Sequence, residues 1–155
     1  MRRSVCASAR RLLLHRTVDA PTTVVVLNSN QDLLELLCAA LERVGVVVIS
    51  GQVDELRRGR QSLSDIVQEH NPSVLIYDLV PPYDRNWRFL EHLQSTPAVR
   101  DRPFIVTAAN AAAARELCGD SCTVYEILGK PYDIDVIVDA VQRAASGEPS
   151  GQPRT

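Results

Sequence analysis

Short runs of branched apolar residues alternate along the chain with stretches whose apolar positions recur every three or four residues. Thr22 to Asn28 is a β-branched run of the kind that suits a strand buried on both faces. Gln31 to Val44 follows, with Leu33, Leu34, Leu37, Leu41 and Val44 on one helical face. Asn30 can cap this helix, and Gly45 can end it with a positive φ. Val46 to Ile49 reads as the next strand. Ser50 to Arg60 is polar and broken by Gly51 and Gly59, so it reads as a loop with at most a helical turn. Leu63, Ile66, Val67 and His70 mark a short amphipathic helix, which Asn71-Pro72 breaks. Val74 to Tyr77 is an apolar strand ending at Asp78, and Pro81-Pro82 forces an irregular loop. Phe89, Leu90 and Leu93 mark a third helix, on which Trp87 should pack. Phe104 to Val106 is a strand ending at Thr107. Asn110 to Leu117 is an alanine-rich helix stopped at Gly119. Thr123 to Leu128 is the last strand. After Gly129-Lys130-Pro131, Asp133 caps a final helix through Ala145, with Ile134, Ile137, Val138 and Val141 facing inward.

Five strand–helix units in this order predict an α/β domain with a parallel sheet covered by helices on both faces. The arrangement is flavodoxin-like, (βα)5, with strand order 2-1-3-4-5. In such sheets the working crevice lies beyond the carboxyl ends of the strands, where the strand order reverses. The polar residues at those ends therefore carry the chemistry.

Charge changes the picture mainly at the start of the chain. Residues 1–18 hold Arg2, Arg3, Arg10, Arg11 and Arg16 and no acid, although the whole chain has a net charge of −2. Residues 1–20 therefore read as a basic, disordered arm, with a transit peptide or an upstream start codon as alternatives. Residues 21–146 form the domain, and 147–155 read as a disordered tail rich in Gly, Pro and Ser. A mildly acidic domain argues against nucleic acid, which needs a clustered basic field. No apolar run has the length of a membrane span, so no membrane partner is expected and the cytoplasm is the expected location. The spacing of Cys6, Cys38, Cys118 and Cys122 matches no zinc or redox motif. A reduced chain is the expectation, with Cys38 as a small apolar residue of the first helix. His15, His70 and His92 do not group at ligand spacing, and Arg57-Arg58-Gly59-Arg60 reads as a solvated loop.

The strand ends supply Asn28-Ser29, Asp78, Thr107 and, just past the fifth strand, Lys130. A carboxylate, a hydroxyl and an ammonium converging on one crevice suggest phosphoryl chemistry. Asp78 can act as an oxygen nucleophile and form an acyl phosphate. Lys130 can neutralise charge on phosphoryl oxygens, and Thr107 can hydrogen-bond to them. A structural Asp78–Lys130 ion pair is the competing reading.

The motifs Val24-Val25-Val26-Leu27-Asn28-Ser29, Pro72-Ser73-Val74-Leu75-Ile76-Tyr77-Asp78-Leu79, Pro103-Phe104-Ile105-Val106-Thr107-Ala108 and Leu128-Gly129-Lys130-Pro131-Tyr132-Asp133 stand in a telling order. Together, from Thr23 to Ala145, they resemble the receiver domains of two-component response regulators. The resemblance implies that Asp78 is the phosphoacceptor, Thr107 the switch hydroxyl and Lys130 the signature lysine. It implies that Asp78, the backbone carbonyl of Val80 and, weakly, Asn28 would ligate Mg²⁺. It also implies that the Lys130-Pro131 peptide is cis, which proline makes accessible.

Two departures stand out. The family's acidic pair after the first strand is replaced by Asn28-Ser29, which should weaken Mg²⁺ binding strongly. Its aromatic switch position, three residues before the lysine, is Ile127. Tyr125 should share that residue's sheet face without being its equivalent. Two functions are thus expected. One is a stand-alone signalling module phosphorylated on Asp78 by a histidine kinase or phosphotransfer protein, altering an output partner's affinity through its last strand and two last helices. The other is a degenerate, phosphorylation-independent receiver acting as an adaptor or homodimerisation module. An enzyme is not expected. Phosphatases of the haloacid dehalogenase type need a second Asp where Val80 stands, and neither a phosphate-binding loop nor a Gly-rich turn follows the first strand.

Overall fold

A computed structural model describes residues 21–131 and 133–150. The basic arm, Tyr132 and residues 151–155, with the expectations made for them, lie outside the described residues. Five parallel strands, β1 (Thr23–Asn28), β2 (Val47–Gln52), β3 (Val74–Leu79), β4 (Phe104–Ala108) and β5 (Glu126–Gly129), pair in the order β2-β1-β3-β4-β5. Six helices connect or follow them: α1 (Gln31–Arg43), α2 (Val53–Arg57), α3 (Leu63–His70), α4 (Tyr83–Gln94), α5 (Ala111–Cys118) and α6 (Ile134–Ala145). The flavodoxin-like topology expected from the alternation is the observed one.

The two-residue period of a strand sorts the apolar runs into two cores. Val25, Leu27, Leu75, Tyr77, Phe104 and Val106 face α2, α3, α4 and α5. Val24, Val26, Val74, Ile76 and Ile105 face α1 and α6. All of β3 is buried, as the middle strand of a sheet covered on both sides must be. Burying each large side chain contributes about 1.5–3 kcal/mol, which makes this strand the fixed reference for the crevice.

Local signals act as expected at several ends. The Asn30 side chain accepts from the Leu33 N–H, and Gly45 leaves α1 at φ +86°. Leu34, Leu37 and Leu41 are buried, while Val44 at the end of the helix is exposed. Asp133 stands at the N-cap of α6, but its side chain makes no capping hydrogen bond. Among the described residues, no helix is long and apolar enough to cross a membrane.

Three expectations are corrected. Strand β2 runs on to Gln52, because Ser50, Gly51 and Gln52 pair with Val26, Leu27 and Asn28. Its polar tip misled because an edge strand tolerates polar residues. Gly51 suits the register, since a Cβ there would lie 2.9 Å from the Leu27 side chain. The helical turn allowed for after it is helix α2, anchored by buried Val53 and Leu56. Strand β5 begins at Glu126 rather than Thr123, so alternation does not reach Tyr125. Tyr125 packs on the α1 and α6 side, opposite Ile127. Its hydroxyl donates to the Glu148 carbonyl at 2.7 Å, tying down a residue assigned from sequence to the tail.

Candidate functional site: the crevice at the strand tips

Asn28, Asp78 and Thr107 continue the alternation of the residues that face α1 and α6. Each stands one step beyond the apolar part of its strand, so period two places all three on one side of the sheet. Asp78 and Thr107 are register partners across β3 and β4. The chain after β5 brings in Lys130, whose N–H donates to the Ala108 carbonyl at 2.9 Å.

One oxygen gathers the three expected side chains. Thr107 Oγ1 donates to Asp78 Oδ1 at 2.8 Å, and Lys130 Nζ stands 2.5 Å from the same oxygen. Asp78 is 2% exposed, so its charge depends on these donors, while the lysine reaches inward from the rim. The carboxylate, hydroxyl and ammonium thus share one pocket, as the strand ends implied.

The other side of the crevice is different. Asn28, also buried, turns its Oδ1 to the Asn30 N–H at 2.8 Å, an Asx turn that leads directly into the cap of α1. The Val80 carbonyl accepts from Asn86 Nδ2 at 2.6 Å. Asn86 is buried on the first turns of α4, and its own Oδ1 accepts from Arg57 of α2. The Arg57 guanidinium also lies 5.0 Å from the Phe89 ring centre, a cation–π distance. Arg57 is exposed, as expected of a solvated residue, but it ends helix α2 rather than lying in a loop, and it caps the wall of the crevice through Asn86. Close by, the Tyr77 hydroxyl points to the Asn86 carbonyl at 3.5 Å, and burial pushes its phenol up to about 12.

No family model matches the chain, and no curated protein matches it. Solved structures do. The chemotaxis response regulator CheY4 of Vibrio cholerae matches with a TM-score of 0.64 and 16% identity, over 81% of this chain and 99% of its own. A sensor protein from Polaromonas matches at 0.64 and 22%, over 83% and 98%. A signal receiver domain of a two-component histidine kinase from Clostridium thermocellum matches at 0.66 and 15%, over 81% and 98%. The fold is that of a response-regulator receiver domain.

Set in the receiver fold, the expected ligands do not fit a magnesium ion. The site offers one carboxylate, Asp78, and that is paired with Lys130. An ion would have to share Oδ1 of Asn28 with Asn30 and the carbonyl of Val80 with Asn86. Ser29 carries no charge. Among the described residues no three His, Cys, Asp or Glu side chains are placed to hold a metal. Sequence reasoning missed Asn86 and Arg57. The signal lay in the spacing of Asn86 from Val80 across the proline turn, and it acquires meaning only once α2 is known to be a helix.

The Lys130-Pro131 peptide is cis, as the resemblance implied, and so is Pro81-Pro82. Thr107 and Ile127 are both buried, and no aromatic side chain stands at the Ile127 position. The expectation of a reduced chain is also corrected: Cys118 and Cys122 are joined in a disulfide, with Cα atoms 4.8 Å apart. The turn between them brings the two side chains together where spacing alone matched no motif. Cys38 packs against the core of α1 and α6, and burial raises its thiol pKa, with Glu42 and Glu35 adding to the effect.

Proposed function

We propose that this chain is a receiver-type signalling module that acts by binding a protein partner and does not depend on magnesium-assisted phosphoryl transfer. It is a cytoplasmic adaptor rather than an enzyme. One observation carries the reading: both neutral oxygens that should ligate the ion already accept from neighbouring N–H groups, those of Asn30 and Asn86. The shared oxygen of Asp78 then serves as a lock. It ties β3 to β4 through Thr107 and to the chain entering α6 through Lys130. The face built from α5, β5 and α6 is held in one state and recognises an output protein or a second copy of the chain. Incubation with acetyl phosphate, with and without Mg²⁺, followed by intact mass, tests this. No phosphoryl gain is expected, and Asp78→Asn, which keeps an oxygen for Thr107 and Lys130, should leave partner binding unchanged.

A second reading is favoured by the convergence of Lys130 and Thr107 on Asp78. In it, a histidine kinase or phosphotransfer protein donates a phosphoryl group to Asp78, and the last strand and helices carry the signal to an output partner. A phosphoryl gain that Mg²⁺ stimulates and Asp78→Asn abolishes would replace the first reading with this one.

A further inference from the structure

Among the helices beside the crevice, α5 is thinly anchored. It buries one side chain fully, Ala114, with Ala111 and Cys118 partly buried beside it, whereas α4 buries Asn86, Trp87, Leu90 and Leu93, and α6 buries Ile137, Ala140, Val141 and Ala144. A methyl group removes little apolar area from water, so packing alone holds α5 weakly. Its start is fixed by the Asn110 cap and by the Tyr83 hydroxyl, which accepts from the Asn110 N–H at 3.1 Å. Its middle is fixed by Arg115, which donates to the Ile127 carbonyl at 3.3 Å. Its end is fixed by the Cys118–Cys122 bond. Between the two cysteines, Gly119, Asp120 and Ser121 are exposed, and Gly119 turns out of the helix at φ +61°. Hydrogen bonding to β4 begins at the Tyr125 N–H, which donates to the Phe104 carbonyl at 2.8 Å, so Thr123 and Val124 link the disulfide to the sheet without a ladder of their own.

We propose that Cys118 and Cys122 are a reversible redox site for a cellular dithiol–disulfide carrier, whose state tightens or loosens α5 and the chain entering β5. A thiolate of the reduced carrier attacks one sulfur through the exposed turn. The Sγ–Sγ bond breaks, a mixed disulfide forms, and the other cysteine leaves as a thiolate and takes up a proton. The carrier's second thiol then displaces the remaining cysteine. The carrier ends as a disulfide, oxidised by two electrons, and both Cys118 and Cys122 end as thiols. Oxidised carrier runs the same steps backwards. Cys38 supplies a contrast within the molecule: half-buried against the core as Cys118 and Cys122 are, it is a free thiol, and its raised pKa makes it a poor nucleophile at neutral pH. The consequence for output rests on the receiver-type reading, because α5 and β5 belong to the face proposed to meet a partner.

The test uses the full chain, oxidised with glutathione disulfide and alkylated with iodoacetamide before and after dithiothreitol. Intact mass should show two more modified thiols after reduction, and none more in the Cys118→Ser/Cys122→Ser variant. Hydrogen exchange should then rise about tenfold within residues 111–125 on reduction, as expected when a local anchor is lost. Strands β1 and β3 should stay as they were. The double variant should exchange like reduced protein, and Cys38→Ser like the wild type in each state. Failure to gain two thiols would overturn the proposal. So would unchanged exchange in residues 111–125, or a rise spread over the whole chain. None of these readouts involves a phosphodonor, magnesium or a partner, so the site can fail while the proposed function stands, and the reverse.

Discussion

The two halves of the crevice sit on neighbouring strand tips and are stabilised in opposite ways. In the half that would accept a phosphoryl group, a buried carboxylate is held by a hydroxyl and an ammonium that meet at one oxygen. In the half that would hold a metal, the strand tip offers amides and no carboxylate. Asn28 is spent on the turn into α1, and Asn86 with Arg57 closes over the Val80 carbonyl. The first half pairs an anion with a cation; the second is held by amides and the Arg57 cation, with no anion to balance a metal ion. The same fold thus carries a charged triad on one side of its crevice and an amide-closed wall on the other.

The largest effect is expected from breaking the charged half on one side only. Lys130→Met leaves Asp78 buried with Thr107 as its remaining donor among those seen at Oδ1. The loss of stability should be about 3 kcal/mol, the low end for an orphaned buried charge because Lys130 reaches the rim. Adding Asp78→Asn removes the charge that was stranded and should recover most of that loss. Urea unfolding of the two single variants and the double one reads the coupling. A cost below about 0.5 kcal/mol for Lys130→Met would mean the pair is no more than a surface contact.

Alkaline pH addresses the neutral half. The Tyr77 phenol is raised by burial from 10.0 to about 12 in the folded state, so the folded chain keeps a proton there that the unfolded chain loses. Stability from this group is fully present below pH 10 and is lost as pH rises through about 12, by about 2–3 kcal/mol in total. Tyr77→Phe should flatten that part of the stability curve. An unchanged slope between pH 10 and 12 would place the phenol in contact with water.

A slightly smaller loss should follow Asn86→Ala, which strips the partner from the Val80 carbonyl and from Arg57 at once. About 2 kcal/mol is expected for the two hydrogen bonds of this buried amide, one of them to a charged group, read by the same unfolding experiment. Arg57→Ala should cost less, because the Asn86 amide would still reach Val80. If the two substitutions cost the same, the guanidinium rather than the amide is what closes this half.

How much of this was written in the sequence follows from the range of each interaction. The strand order and the triad were legible because apolar period and strand-end position are local signals, and Asn28, Asp78 and Thr107 all sit where β-strand alternation ends. The tip of β2 was not, because an edge strand carries Ser50 and Gln52 without cost and so looks like a loop. The closure over Val80 was not legible either. It needs α2 to carry Arg57 across to α4, a contact between residues 29 apart that no local pattern records. The facing of Tyr125 was misjudged for a related reason: the alternation was extended past the point where the ladder starts.

The subtlest test rebuilds the missing half. In Asn28→Asp the carboxylate can keep accepting from Asn30 with one oxygen and offer the other, charged, to a cation. The amide has only an NH₂ group at that second position. Ser29→Asp would add a second charge, and two carboxylates within a few ångströms of a divalent ion attract it even through water. The pair of substitutions should tighten Mg²⁺ binding at least tenfold, or about 1.4 kcal/mol, by calorimetry. If the Asn86 amide really competes for the Val80 carbonyl, adding Asn86→Ala should tighten it further; equal affinities with and without that change would show that charge alone separates the halves. No gain in either variant would mean that the backbone at Asn28-Ser29-Asn30 cannot present the new oxygens. The difference between the halves would then lie in the turn's shape rather than in its missing charge.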